Sequence, residues 1–271
     1  MKVFKLELRR AFFNKWTGFA FTLAFIMCLI PLWDKFMYMT KFYETMSSGG
    51  DKVVCTATPY ENWLLYDQSE SLHYIYLFVM PLLAVLPFGA SYYMDLKSGY
   101  VKQLVSRCSA KKYLCAKYGA TFISGGTVIS IPLLLQLMIL ALIFPVNKPQ
   151  RFGSMFICET VPGIDFFYEH PLIYCMIWCL IVFIVAGLIA TISLTVTNIA
   201  YSYFSIMLTP FVFAFSLIFL GVFTNRLEAS FLYSICALTI YSYNYWIFIC
   251  EIVGIFILTF IPFVVLRKEI L

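Results

Sequence analysis

Apolar residues fill six long runs of the chain, at 17–33, 72–93, 118–144, 172–196, 201–223 and 245–266, and polar or turn-forming residues gather between them. Each run is about 17 residues or more, enough to carry a helix across roughly 30 Å of hydrocarbon. A shorter apolar piece, Ala229 to Ile240, lies within the polar stretch 224–243. As a helix of about 12 residues it reaches only about 18 Å, so it is expected to be re-entrant or interfacial rather than spanning. Residues 1–16 place Phe4, Leu8, Ala11, Phe12 and Trp16 at helical spacing, with Lys2, Lys5, Arg9 and Arg10 largely on other faces. That is the pattern of a helix lying in the membrane interface. The expected fold is one all-α integral membrane domain over 1–271. It has an N-terminal interfacial helix (1–16), six transmembrane helices, and a re-entrant segment (224–243) before the last.

Prolines and small residues refine this picture. Pro81 and Pro87 interrupt the second run and predict a kink, because each removes a helix donor. Ser124-Gly125-Gly126-Thr127 in the third run, and Ala186-x-x-x-Ala190 with Gly187-x-x-x-Thr191 in the fourth, form small-residue faces suited to close helix approach. The fourth and fifth runs are joined only by Thr197-Asn198-Ile199-Ala200, so their helices must be antiparallel neighbours.

Charge then assigns the sides. The segment 94–117 holds six basic residues (Lys97, Lys102, Arg107, Lys111, Lys112, Lys117) and one acid, Asp95, and basic loops of this length are retained in the cytoplasm. The loop 34–71 is the reverse, with six acids and three lysines, and with 145–171 it is assigned outside. Under this assignment thirteen of the nineteen Lys and Arg residues are cytoplasmic, which fits both termini inside. Overall, 62% of residues are hydrophobic and 12% charged, far too little polar surface for a soluble domain of 271 residues. The net charge of +5 is divided among short flanks of apolar runs, where it reads as a topology signal, so nucleic acid is discarded as a partner.

The central segment also carries the most specific pattern: Asp95, then Gly99, Lys102, Gln103 and Leu104, Ser106-Arg107, Lys111 and Lys112, and Lys117 before the next apolar run. This resembles the loop between the second and third membrane helices of ABC-2 type transporter permeases, with Cys108 where the family usually has Pro and Asp95 where Glu is commoner. The short broken piece before the last helix is a second point of resemblance. The family implies that 94–117 bears a coupling helix docking on a cytoplasmic ATPase, with Asp95, Gly99, Lys102, Gln103, Leu104, Arg107, Lys111 and Lys112 as coupling residues. It also implies a homodimer or a heterodimer with a similar chain. ATP and magnesium would be held by the partner ATPase, and this chain would hold no cofactor. The expected setting is a bacterial plasma membrane.

Little else offers chemistry. No G-x-x-x-x-G-K-[ST] loop, H-E-x-x-H or G-x-S-x-G pattern occurs, and the nine cysteines have neither CxxC nor zinc spacing, so neither an enzyme nor a metal site is expected. Cys55 and Cys158, one in each external loop, either form a disulfide or stay as free thiols. Glu251 is the one acid inside an apolar run. An ionisable group at such depth faces a cavity or a partner, which makes Glu251 a candidate pathway or gate residue with Arg226. The bland alternative is a carboxyl tied to a neighbouring hydroxyl. An apolar, aromatic-rich interior suits an amphipathic or hydrophobic cargo such as a peptide or lipid-like molecule. A non-transporting membrane protein, such as a peptide sensor or immunity factor, would share the composition.

Overall fold

The computed structural model describes residues 2–47, 58–66, 71–149, 163–197, 202–225, 230–235 and 244–265. Among them every regular element is helical: α1 (Lys2–Phe12), α2 (Lys15–Ser47), α3 (Ser71–Val85), α4 (Ser91–Lys97), α5 (Tyr100–Val105), α6 (Ala110–Ile143), α7 (Ile164–Glu169), α8 (Pro171–Val196), α9 (Tyr203–Phe223), α10 (Phe231–Ser234) and α11 (Tyr245–Phe260), which ends in a π-helical turn at Ile261–Val265. Five helices, α2, α6, α8, α9 and α11, are long and apolar enough to cross a membrane, while α3 is apolar but shorter.

The bundle is built around α6 and α8, whose small residues let the two backbones nearly touch. A Cβ placed on Gly126 would lie 2.6 Å from the carbonyl oxygen of Phe183, and one on Gly187 would lie 2.7 Å from that of Phe122. Gly125 has the same constraint, its Cβ position being 2.5 Å from Ala190 Cβ. Glycine at these positions therefore sets the helix separation, the packing expected of helices in lipid, where there is no hydrophobic drive between them. Around this pair α2, α3, α9 and α11 complete a core that includes Met80, Leu83, Ile129, Val182 and Ile189.

Three places depart from the hydropathy pattern. First, α2 does not stop at Trp33 but continues through Asp34 and Lys35 to Ser47, so part of the stretch expected as a polar loop is helix. Backbone bonding continues where hydropathy ends, because nothing in that sequence breaks the i to i−4 ladder. Second, the run 72–93 is broken rather than kinked. Pro81 is accommodated inside α3, but the helix ends at Val85 and α4 begins only at Ser91. Pro87 disfavours a helical Leu86 and supplies no donor of its own, and the Pro87 carbonyl is met by Asn14 Nδ2, from the turn between α1 and α2, at 3.1 Å.

Third, residues 58–66 are not a solvated loop. Tyr60, Trp63, Leu64 and Leu65 are buried in the bundle core. Trp63 Nε1 donates to the Leu133 carbonyl at 3.1 Å and Leu64 N to Gln136 Oε1 at 3.3 Å. Gln136 in turn donates to the Cys28 carbonyl at 2.9 Å, and His73 Nδ1 lies 2.7 Å from the Leu64 carbonyl, to which only the ring can donate. The Trp63 indole, the Leu64 backbone, Gln136 and His73 are thereby all hydrogen-bonded where the wedge enters the apolar core, as burial requires. Most of 224–243 lies outside the described residues, which there include only Thr224, Asn225 and 230–235.

Candidate functional site

At the end of the bundle where α1, α4, α5 and the start of α6 meet, two acids and two bases form one closed network. Glu7 and Arg10 stand one helical turn apart on α1, with Arg10 Nη1 2.9 Å from Glu7 Oε1. Arg10 also reaches Asp95 on α4 with both nitrogens, at 2.7 Å and 3.2 Å, the paired geometry in which guanidinium holds carboxylate most firmly. Lys117 of α6 closes the ring, 3.0 Å from Glu7 Oε2 and 2.6 Å from Asp95 Oδ2. Tyr113 donates its hydroxyl to Asp95 at 3.0 Å. Two aromatic rings complete the cage: Phe88 lies 4.1 Å under the Lys117 ammonium and Tyr100 4.8 Å from the Arg10 guanidinium.

Burial makes this a strong constraint. Glu7 and Lys117 are 0% exposed and Asp95 is 3% exposed, so their partners lie within the network rather than in water. Burial alone pushes the Asp95 carboxyl up, but the hydrogen bond from Arg10 and the charge and hydrogen bond of Lys117 outweigh it and hold the carboxyl below the usual range. Burial lowers the Arg10 value, and the hydrogen bond and charge of Asp95 together with Glu7 more than reverse this. Two positive and two negative groups leave the cluster neutral.

The cluster fixes the segment 94–117 in space. Gly99 sits at φ +73° between α4 and α5, a left-handed turn that suits glycine. Val101 of α5 is buried beside Tyr92, Tyr113 and Phe263, while Lys102 and Gln103 are exposed and Leu104 is half-buried. Beyond α5, Cys108 donates its backbone N–H to the Leu104 carbonyl at 3.0 Å, a bond that proline there could not make. Arg107, Lys111 and Lys112 are exposed. The candidate coupling residues thus take different places: Asp95 is consumed inside, Gly99 shapes the turn, Leu104 is half-buried, and Lys102, Gln103, Arg107, Lys111 and Lys112 form an outward basic surface.

Glu7 and Arg10 escaped the sequence reading, which counted α1's charges by side. The signal was present in the spacing, since Glu7 lies one turn from Ala11 of the expected apolar stripe, and in the fold both are fully buried. The inward face of α1 is Glu7, Arg10 and Ala11, whereas Phe4, Phe12 and Trp16 of the expected apolar stripe are exposed.

The second candidate site is only partly visible. Glu251 lies on α11, and its Oε2 is buried without a hydrogen-bond partner among the described residues. Arg226, Cys55 and Cys158 fall outside the described residues, and with them the expected gate pair and disulfide. Among the described residues no group of three or more His, Cys, Asp or Glu could hold a metal.

Five long apolar helices among the described residues, two of them, α6 and α8, packed through glycine faces, make this a helical, multi-pass membrane protein. No family model, curated protein or solved structure matches the chain.

Proposed function

We propose that the chain is the membrane-spanning subunit of an ABC-2 type exporter, driven by a separate ATPase that binds ATP and magnesium. One observation carries this reading: the buried Glu7–Arg10–Asp95–Lys117 network ties α4 to both the N-terminal helix and α6, and the short helix α5 follows α4 directly across the Gly99 turn, with its first residue Tyr100 against Arg10, its Lys102 and Gln103 outward and Arg107 exposed just beyond it. A small exposed helix held rigidly against a long helix of the central pair is what transmits a push from outside the membrane. Movement of α5 is passed through Asp95 to Lys117 and so to α6, whose packing on α8 would then switch between two arrangements. A basic docking surface is suited to an acidic groove on the ATPase.

The same reading makes α3, with its broken continuation to Lys97, a sixth crossing, and keeps 224–243 on the outer side. Both termini are then cytoplasmic, and the protein works as a homodimer or beside a similar chain. The interior is apolar, aliphatic residues being joined by aromatic ones such as Trp63, Tyr76, Phe167 and Trp178, so the cargo is an amphipathic or hydrophobic molecule such as a peptide, an antibiotic or a lipid-like compound. Glu251 is the candidate polar contact along the route.

The test is charge reversal on the docking surface, Lys102→Glu with Arg107→Glu. Both residues are exposed, so insertion and folding should be unchanged while co-purification of the ATPase, or coupling of its hydrolysis to export, is lost. Full ATPase binding and full export by that variant would refute the assignment. Export or resistance that persists with no ATPase present would favour a peptide-binding immunity protein instead.

A further inference from the structure

We propose that the outward face of α1, with the cleft between it and Tyr100, binds the headgroup of an anionic phospholipid. The inference rests on α1 lying at the level of the headgroups, and it is independent of the ATPase. The cleft is about 720 Å³ and is lined by Lys5, Leu6, Arg9, Arg10, Phe13 and Tyr100. It has three cations and no carboxylate. The nearest acids in the fold, Glu7 and Asp95, are buried and already matched by Arg10 and Lys117. Lys5 and Arg9 therefore stand as two uncompensated positive charges at its rim, both exposed, and neither is in an ion pair among the described residues.

The surroundings choose the kind of anion. Phe13 is 85% exposed, with Arg9 poised 5.7 Å from its ring centre, and Phe12, Trp16 and Phe19 are exposed beside it where α1 turns into α2. A soluble phosphate ester would satisfy the cations and leave these rings in water. A phospholipid satisfies both, its phosphate between Lys5 and Arg9 and its acyl chains against the aromatic residues, the arrangement of basic and aromatic groups that interfacial helices use. The charges fit a net negative headgroup such as phosphatidylglycerol better than a zwitterion, whose own cation would meet a site already positive.

The experiment uses the full chain in nanodiscs of phosphatidylcholine and phosphatidylglycerol, extracted gently and weighed with its retained lipids by native mass spectrometry. The wild-type protein should retain phosphatidylglycerol above its share in the disc. Each basic residue near an anionic surface is worth roughly a factor of five, so Lys5→Gln with Arg9→Gln should cut that preference by about twenty-fivefold. Lys111→Gln with Lys112→Gln, which removes the same charge from exposed positions on α6, should keep it, as should Arg9→Lys. Three results would overturn the proposal: retention in proportion to supply, equal loss in both double variants, or displacement of the lipid by soluble glycerol phosphate. The last would assign the cleft to a soluble phosphate ester. Lys102→Glu with Arg107→Glu should leave lipid retention intact, so this proposal and the exporter reading fail separately.

Discussion

Replacing Lys117 by Met puts the buried network to its sharpest test, because Met fills nearly the same volume and removes only the charge and its donors. The wild-type ammonium is 3.0 Å from Glu7 and 2.6 Å from Asp95 in a site with almost no solvent. Without it the two carboxylates share one guanidinium, and one negative charge is left uncompensated at 0–3% exposure. Breaking a buried ion pair from one side costs about 3–5 kcal/mol. Removing a charge of each sign, Lys117→Met with Glu7→Gln, leaves Arg10 and Asp95 as a neutral bidentate pair. The double variant should therefore recover about 2 kcal/mol or more of what the single variant loses, a coupling within the range seen for neighbours in one network. Unfolding of the four proteins of the cycle by denaturant in one detergent measures this. Hydrogen exchange along α1 should rise in the single variant and fall back in the double. A loss under about 1 kcal/mol for Lys117→Met, or a double variant as unstable as the sum of the singles, would show that the charges are solvated and do not hold the helix.

Acid should release the same network. The Asp95 carboxyl is held below its unfolded value, so its contribution is complete above about pH 4 and is lost as the pH falls through the lower native value. Hydrogen exchange in α1 should increase over that window, and Asp95→Asn should flatten the dependence. Gly187→Ala should destabilise the bundle by about 1–3 kcal/mol, since its Cβ would meet backbone at 2.7 Å, whereas Gly254→Ala has open space and should be close to neutral. Denaturant midpoints of the two variants give the comparison. Cysteines at positions 226 and 244 should both react with an impermeant thiol reagent added outside in a cysteine-free background; labelling of one from each side would show that the intervening segment crosses.

The long apolar helices were legible because lipid imposes a requirement that the sequence must meet locally, about twenty apolar residues in succession. The glycine faces of α6 and α8 were legible for a similar reason, since little else lets helices approach so closely in lipid. Position 99 was singled out as well, and its left-handed φ explains the glycine. What could not be read locally was the purpose of polar residues whose partners lie far along the chain. The wedge at 58–66 appeared as loop because Glu61, Asn62 and Asp67 surround Trp63-Leu64-Leu65, and only Gln136 and Leu133 on α6 give it a place to be buried. The Asp34–Ser47 part of α2 was hidden by its charges, although Lys35 reaches the Asn62 carbonyl at 2.7 Å and so fastens that helix to the wedge.

The largest consequence concerns the positive charges themselves. Counting Lys and Arg by side treats each as free to interact with the membrane surface. In the folded chain Arg10 and Lys117 are matched by Glu7 and Asp95 inside the protein, so they contribute to cohesion between α1, α4 and α6 rather than to orientation. Orientation must then be set before folding, while the four groups are still apart, or by residues such as Lys5, Arg9, Lys102 and Arg107 that stay exposed afterwards. Once the network has closed, only the basic residues that stay exposed remain available to lipid or to a partner.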